Sequence, residues 1–136
     1  MSRPIHAGCV AIGGRGVLLA GRSGAGKSDL ALRLIDRGAV LVSDDYTDLS
    51  VRDGRLVARV RDTIAGRIEV RGIGIVPLPH QPEVAVALLV DLDEAPARMP
   101  EDETRMVEGV AVPLVRLAAL EASAPIKVEM ALGRLA

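Results

Sequence analysis

Aromatic side chains are almost missing from this 136-residue chain: Tyr46 stands alone, with no Phe and no Trp. A stacking platform for single-stranded nucleic acid is thereby excluded, and the core must be built from Val, Leu, Ile, Ala and Met. Cys9 is the only cysteine, which rules out an internal disulfide and a thiolate metal cluster. With Val10 and Ile12 as neighbours it reads as a small buried residue rather than a reactive thiol. Asn is absent altogether, so the Asn-Lys-x-Asp motif with which GTPases read guanine is missing, and base recognition is expected to be loose and backbone-mediated. Of 17 basic residues only Lys27 and Lys127 are lysines. The net charge of −1 gives no global field for nucleic acid or an anionic membrane. No apolar run approaches the ~20 residues of a membrane span, and the first residues, Met-Ser-Arg-Pro-Ile-His, lack a signal peptide's apolar stretch. No nucleic acid, no membrane and a cytoplasmic location are expected. With 49% hydrophobic residues the chain folds, and its length suits one domain over 1–136.

What is present is concentrated at one place. Gly21-Arg22-Ser23-Gly24-Ala25-Gly26-Lys27-Ser28 fits the phosphate-binding pattern of Gly, four residues, Gly, Lys and Ser/Thr. Gly16–Ala20 before it reads as a buried strand. Ser28–Arg37 after it reads as an amphipathic helix, with Leu30, Ala31, Leu34 and Ile35 at helical spacing and Gly38 as its stop. Glycines let the chain wrap around phosphate oxygens with its amides pointing inward, and the helix N-terminus adds partial positive charge. Lys27 would then reach the outer phosphates of a bound nucleotide, and the Ser28 hydroxyl would be a ligand for Mg2+.

The flanking elements follow from periodicity and turn chemistry. His6–Ile12 and Gly16–Ala20 form a hairpin across Gly13-Gly14-Arg15. Val40–Val42 is a short buried strand running into Ser43-Asp44-Asp45. Leu49–Arg52 and Leu56–Val60 flank the hairpin signal Asp53-Gly54. Ile68–Pro77 reads as a strand with two internal glycines, and Val84–Leu92 as a central strand. Glu94–Glu108 is a charged surface connection with a short helical turn. Val110–Leu117 is a strand, and Ser123-Ala124-Pro125 opens a last helix reaching about Leu135, with Ser123 as its cap. The expected class is α/β: one phosphate-loop domain with a mixed sheet and few helices.

Phosphoryl transfer needs a phosphate cradle, a metal, a group to take the nucleophile's proton and cations for developing charge. Asp44 and Asp45 follow a buried strand; placed beside the loop strand, its end would share the sheet edge where ligands bind. One carboxylate would help hold Mg2+ and the other accept a proton. Glu69 lies between Ile68 and Val70 with Arg71 two positions on. It is either half of a solvent-facing ion pair or a metal ligand, and Gly72 and Gly74 favour the latter by hinting at a close approach. His6 is either a surface residue or a group at the edge of the site. His80 sits in a loop between prolines. Arg98 and Arg105, in the charged connection, are either surface charges or the cation for the transferring phosphate.

Three blocks resemble one known family, the catalytic domain of HPr kinase/phosphorylase. They are His6–Ser28, then Arg37-Gly38 to Asp45, and above all Ile68-Glu69-Val70-Arg71-Gly72-Ile73-Gly74-Ile75. Glu129-Met130-Ala131 resembles the family's final helix. The resemblance implies a fold like the nucleotide domain of phosphoenolpyruvate carboxykinases. It also implies ATP- and Mg2+-dependent phosphorylation of a serine of the phosphocarrier HPr, with phosphorolytic reversal in many members, and assembly into a homo-oligomer, the hexamer. It assigns Lys27 and Ser28 to phosphate and magnesium, Asp45 to the proton, Glu69 to the metal, and His6 and Arg98 to catalysis. Four features depart from the family pattern: a separate N-terminal domain is expected to be missing, as in the short alphaproteobacterial forms, the segment Pro77–Pro82 after the signature is shorter than usual, Asp29 stands in place of the usual Glu, and Leu120–Pro125 replaces the Pro-Val-Arg-Pro-Gly-Arg stretch tied to phosphorolysis. Other readings of the same residues are a small-molecule kinase or ATPase, and a nucleotide sensor controlling a partner. A sensor needs no base, so the joint presence of Asp45 and Glu69 favours an enzyme.

Overall fold

The computed structural model describes residues 2–135. Among these, the chain forms β1 (Arg3–Ile5), β2 (Ala7–Ile12), β3 (Arg15–Ala20), α1 (Lys27–Asp36), β4 (Val40–Ser43), β5 (Thr47–Arg52) and β6 (Arg55–Arg59). A 3-10 turn (Asp62–Ile64) leads to β7 (Arg67–Val70), β8 (Gly74–Pro77), β9 (Glu83–Asp91), β10 (Glu103–Val107), β11 (Val110–Arg116) and α2 (Ala124–Gly133).

The main sheet is mixed and runs β1-β5-β6-β9-β3-β2-β4, with β11 on β9 and β10 outside β11. β9, almost wholly apolar, is its axis. It pairs parallel with β3 on one side; on the other it pairs antiparallel with β6 near its start and parallel with β11 near its end. Both faces of the central strands are covered, which is why they read as apolar runs rather than alternations. One face packs against the helices: Val10, Val17, Leu19, Leu41, Leu88 and Val90 meet Leu30 and Leu34 of α1 and Val128 and Leu132 of α2. The other face has no helix and curls on itself. There Cys9, Ala11, Leu18, Val42 and Leu89 meet Leu49, Leu56, Ala58 and Val84. The curl is held where β1 pairs with β5 and where the Thr47 hydroxyl donates to the Ala7 carbonyl at 2.7 Å. Each fully buried leucine contributes roughly 1.5–3 kcal/mol, so two modest aliphatic clusters stand in for an aromatic core.

Burial pushes the Cys9 thiol up to about 12. The thiolate is the reactive form, so Cys9 in the native protein is expected to resist a disulfide reagent at about pH 8. Unfolding in denaturant should release one reactive thiol. Equal rates in both states would contradict the packing of this second cluster.

Several expectations are corrected. The stretch 68–77 is a hairpin, β7 against β8, in a separate two-stranded sheet. Its glycines serve the turn: Gly72 and Gly74 have φ of 91° and 116°, and nothing lies within 4 Å of where a side chain would begin. They mark the bend and not a close approach. The charged connection has no helical turn; its second half is β10, paired with β11. Ser123 precedes α2 but makes no side-chain cap bond, while Pro125 does occupy the first turn. Strand β4 is not beside β3; β2 lies between them and runs antiparallel to both. Two reversals restore the direction, so β3 and β4 still end at the same rim. Neither helix among the described residues is long and apolar enough to cross a membrane.

Candidate active site

Strand β3 ends at Ala20, and the chain turns through 21–26 into α1. Gly26 holds the N-cap position with φ of 97°, a left-handed conformation that favours glycine. Space is short there as well: a side chain would meet Ala119 Cβ at 3.0 Å and Leu120 Cδ2 at 3.1 Å. The first-turn amides of a helix have no partner within it, so the N-terminal end of α1 presents donors and partial positive charge to the space above the loop. Lys27 is buried, and its ammonium donates to the Gly21 and Arg22 carbonyls at 2.7 and 3.0 Å.

The acidic pair leaves β4 at the same rim. The Tyr46 amide donates to the Asp44 carbonyl at 2.8 Å and Asp45 has φ of 68°, a γ-turn centred on Asp45. This tight turn sends the two carboxylates to different partners. Asp44 accepts from the Ser28 hydroxyl at 2.6 Å through one oxygen and from the Glu69 backbone amide at 3.0 Å through the other. It thus ties α1 to the β7–β8 hairpin. Asp45 is half-exposed; its Oδ1 is 2.8 Å from His6 Nε2 and 4.0 Å from Lys27 Nζ. Tyr46 stacks on the His6 ring with centroids 5.0 Å apart. A cleft of about 570 Å³ opens above these groups, lined among others by Ser23, Lys27, Ser28, Asp45, Glu69 and Arg71.

An HPr serine kinase C-terminal domain family model matches residues 1–81, which takes in every one of these groups. The chain belongs to this family. Among its relatives are HPr kinase/phosphorylase of Clostridium beijerinckii, 46% identical over 72 residues, and that of Clostridium acetobutylicum, 45% identical over 75. The first match spans 53% of this chain and 24% of the relative, the second 55% and 25%, so the chain aligns with about a quarter of each. The fold matches the solved Hpr(Ser) kinase/phosphatase from Coxiella burnetii with a TM-score of 0.83 and 28% identity, over 96% of this chain and 94% of that one. The structural likeness therefore extends through the second half, beyond the family model.

In this chain Lys27, Ser28, Asp44, Asp45, His6 and Glu69 come together. Glu69 is exposed on the hairpin rather than buried in an apolar strand. Arg98 lies on the exposed connection 93–102 and is not among the residues lining the cleft. Arg105 pairs with Asp91 at 2.8 Å. Burial drives the Asp91 carboxyl up, but the Arg105 hydrogen bond, the Asp93 amide and the charges of Arg105 and Arg116 outweigh it and hold the carboxyl below its ordinary value. Sequence reading passed over Asp91 and Asp93. The available signal was an apolar strand, Val84–Val90, ending in a carboxylate at the rim where β3 also ends.

Proposed function

We propose that this chain is the catalytic domain, over 1–136, of an ATP- and Mg2+-dependent protein-serine kinase that phosphorylates HPr in the cytoplasm and works as a homo-oligomer, hexameric by resemblance. The loop 21–28 is read as a phosphate-binding loop, and the fold as one like the nucleotide domain of phosphoenolpyruvate carboxykinases. The observation that carries the reading is the Asp45 carboxylate, held by His6 and 4.0 Å from the Lys27 ammonium at the mouth of the loop. A proton acceptor and a phosphate-binding cation thus face one cleft.

In this mechanism the loop amides and the α1 N-terminus bind the donor's phosphates. Lys27 exchanges a loop carbonyl for a phosphate oxygen and holds the outer phosphates in line with the incoming serine. The serine oxygen forms a bond to the γ-phosphorus, the bond from that phosphorus to the ADP oxygen breaks, and Asp45 takes the serine proton. His6 keeps the receiving oxygen of Asp45 aimed. Arg71, at the cleft, is the arginine we assign to the charge developing on the transferred group; Arg98, expected from the resemblance, would have to reach from outside it.

The donor set fits magnesium: Ser28 Oγ and Asp44, now joined by a 2.6 Å hydrogen bond, would be its oxygen ligands, with the Glu69 carboxylate on the adjoining hairpin. Among the described residues no cluster of three or more His, Cys, Asp or Glu forms, and magnesium is commonly held by one or two carboxylates together with substrate phosphates. When bound it neutralises phosphate charge.

Leu120 lines the cleft in the segment that replaces the arginine-bearing phosphorolysis stretch. It offers no charge to a free phosphate, so the reverse reaction is expected to be slow. Purified protein, HPr and MgATP should give HPr carrying one added phosphate by mass, with slow loss after inorganic phosphate is added. Turnover of ATP with no modified HPr would leave an ATPase or small-molecule kinase; nucleotide binding without turnover would leave a sensor.

A further inference from the structure

The rim behind the loop holds a chain of polar contacts that neither the loop motif nor the acidic pair explains. The Asp91 carboxylate, nearly buried at the end of β9, accepts from Arg105 at 2.8 Å and from the Asp93 amide at 2.8 Å. The turn 91–93 is further tied to its neighbours: Leu92 N donates to Ala20 O at 2.8 Å, and Leu117 N to Asp91 O at 3.1 Å. So fixed, Asp93 turns its Oδ1 to the backbone amide of Arg22, 2.9 Å away. That amide belongs to the same peptide unit as the Gly21 carbonyl, which accepts from Lys27 Nζ at 2.7 Å. A trans peptide is planar and its N–H and C=O point opposite ways. One rigid unit therefore joins a carboxylate on one side to an ammonium on the other. Both hydrogen bonds are charge-assisted, and each polarises the peptide in the direction that strengthens the other.

We infer that Asp93 is a positioning residue for the Lys27 ammonium, acting through the Gly21–Arg22 peptide, with Asp91 and Arg105 holding Asp93 in place. Without an acceptor at position 93 the Gly21–Arg22 peptide loses the bond that sets its tilt, the Gly21 carbonyl is no longer held toward the lysine, and the ammonium keeps only the Arg22 carbonyl to place it over the loop. This inference rests on the proposed role of Lys27 at the donor's phosphates, but the arrangement of the lysine has its own readout.

The chain has two lysines, so labelling lysine side chains with 15N and 13C gives two amine signals, and Lys127→Arg identifies Lys27. In Asp93→Ala the Lys27 signal should move while that of Lys127 stays. The KM for ATP should rise about tenfold, the loss of one charge-assisted hydrogen bond, with kcat within about threefold and the KM for HPr unchanged. Asp93→Asn, which keeps an oxygen acceptor, should restore both the signal and most of the affinity. Asp93→Ser, too short to reach the amide, makes the same test should the alanine variant fail to fold. An unmoved Lys27 signal with unchanged ATP affinity would overturn the inference, as would an asparagine variant as impaired as the alanine one. Failure of the wild type to phosphorylate HPr would count against the kinase reading alone and leave the lysine signals to judge this one.

Discussion

Asp45→Asn is expected to bind MgATP as tightly as the wild type and to transfer phosphate to HPr about 10²–10⁴-fold more slowly, the usual worth of a positioned general base. The substitution is nearly isosteric, so the γ-turn at 44–46 and an oxygen for His6 are retained. The proton-accepting charge is lost. Asp45 lies 4.0 Å from Lys27 Nζ, and its negative charge opposes the donor's phosphates rather than helping to bind them, which is why affinity should not fall. Calorimetry for nucleotide and single-turnover transfer for chemistry separate the two effects. Near-normal transfer in this variant would remove Asp45 from the chemistry and leave it as a partner for His6.

Lys27→Ala should cost at least about 10²-fold in ATP affinity, as expected for two charge-assisted contacts at 1.5–3 kcal/mol each. A second loss follows from the burial of this side chain. Its removal takes the ammonium from the half-buried Gly21 carbonyl and leaves the Arg22 carbonyl with the Ala25 amide alone, and a hydrogen bond to a charged group contributes roughly 1.5–3 kcal/mol. The variant should therefore unfold at a lower temperature, and binding has to be measured where it remains folded. Unchanged ATP binding by calorimetry would contradict the phosphate-loop assignment, whatever the stability.

Much of this site is legible in the chain because its largest pieces are local. The pattern Gly21–Ser28 lies between a strand and a helix that each announce themselves by spacing, and Asp44-Asp45 closes an apolar run. These are short-range matters of steric allowance, helix periodicity and amide orientation. The β7–β8 hairpin was misread for a related reason. Ile68, Val70, Ile73 and Ile75 look like one apolar strand, and only the left-handed conformations at Gly72 and Gly74 reveal the bend. Composition does not distinguish a glycine that turns the chain from one that admits a neighbour.

By itself, then, the sequence determined the glycine-rich turn between β3 and α1, its lysine and hydroxyl, and the nearby pair of carboxylates, because residues close along the chain carry their geometry with them. Only the tertiary structure decided that His6 meets Asp45 across 39 positions and that Asp93 braces the loop across 71. It also decided that β2 separates β3 from β4 while leaving their ends on one rim. The physical reason is that strands covered on both faces are apolar throughout. They carry no alternation that names a neighbour or a register, so their order is settled by which faces the two helices and the curled sheet can bury.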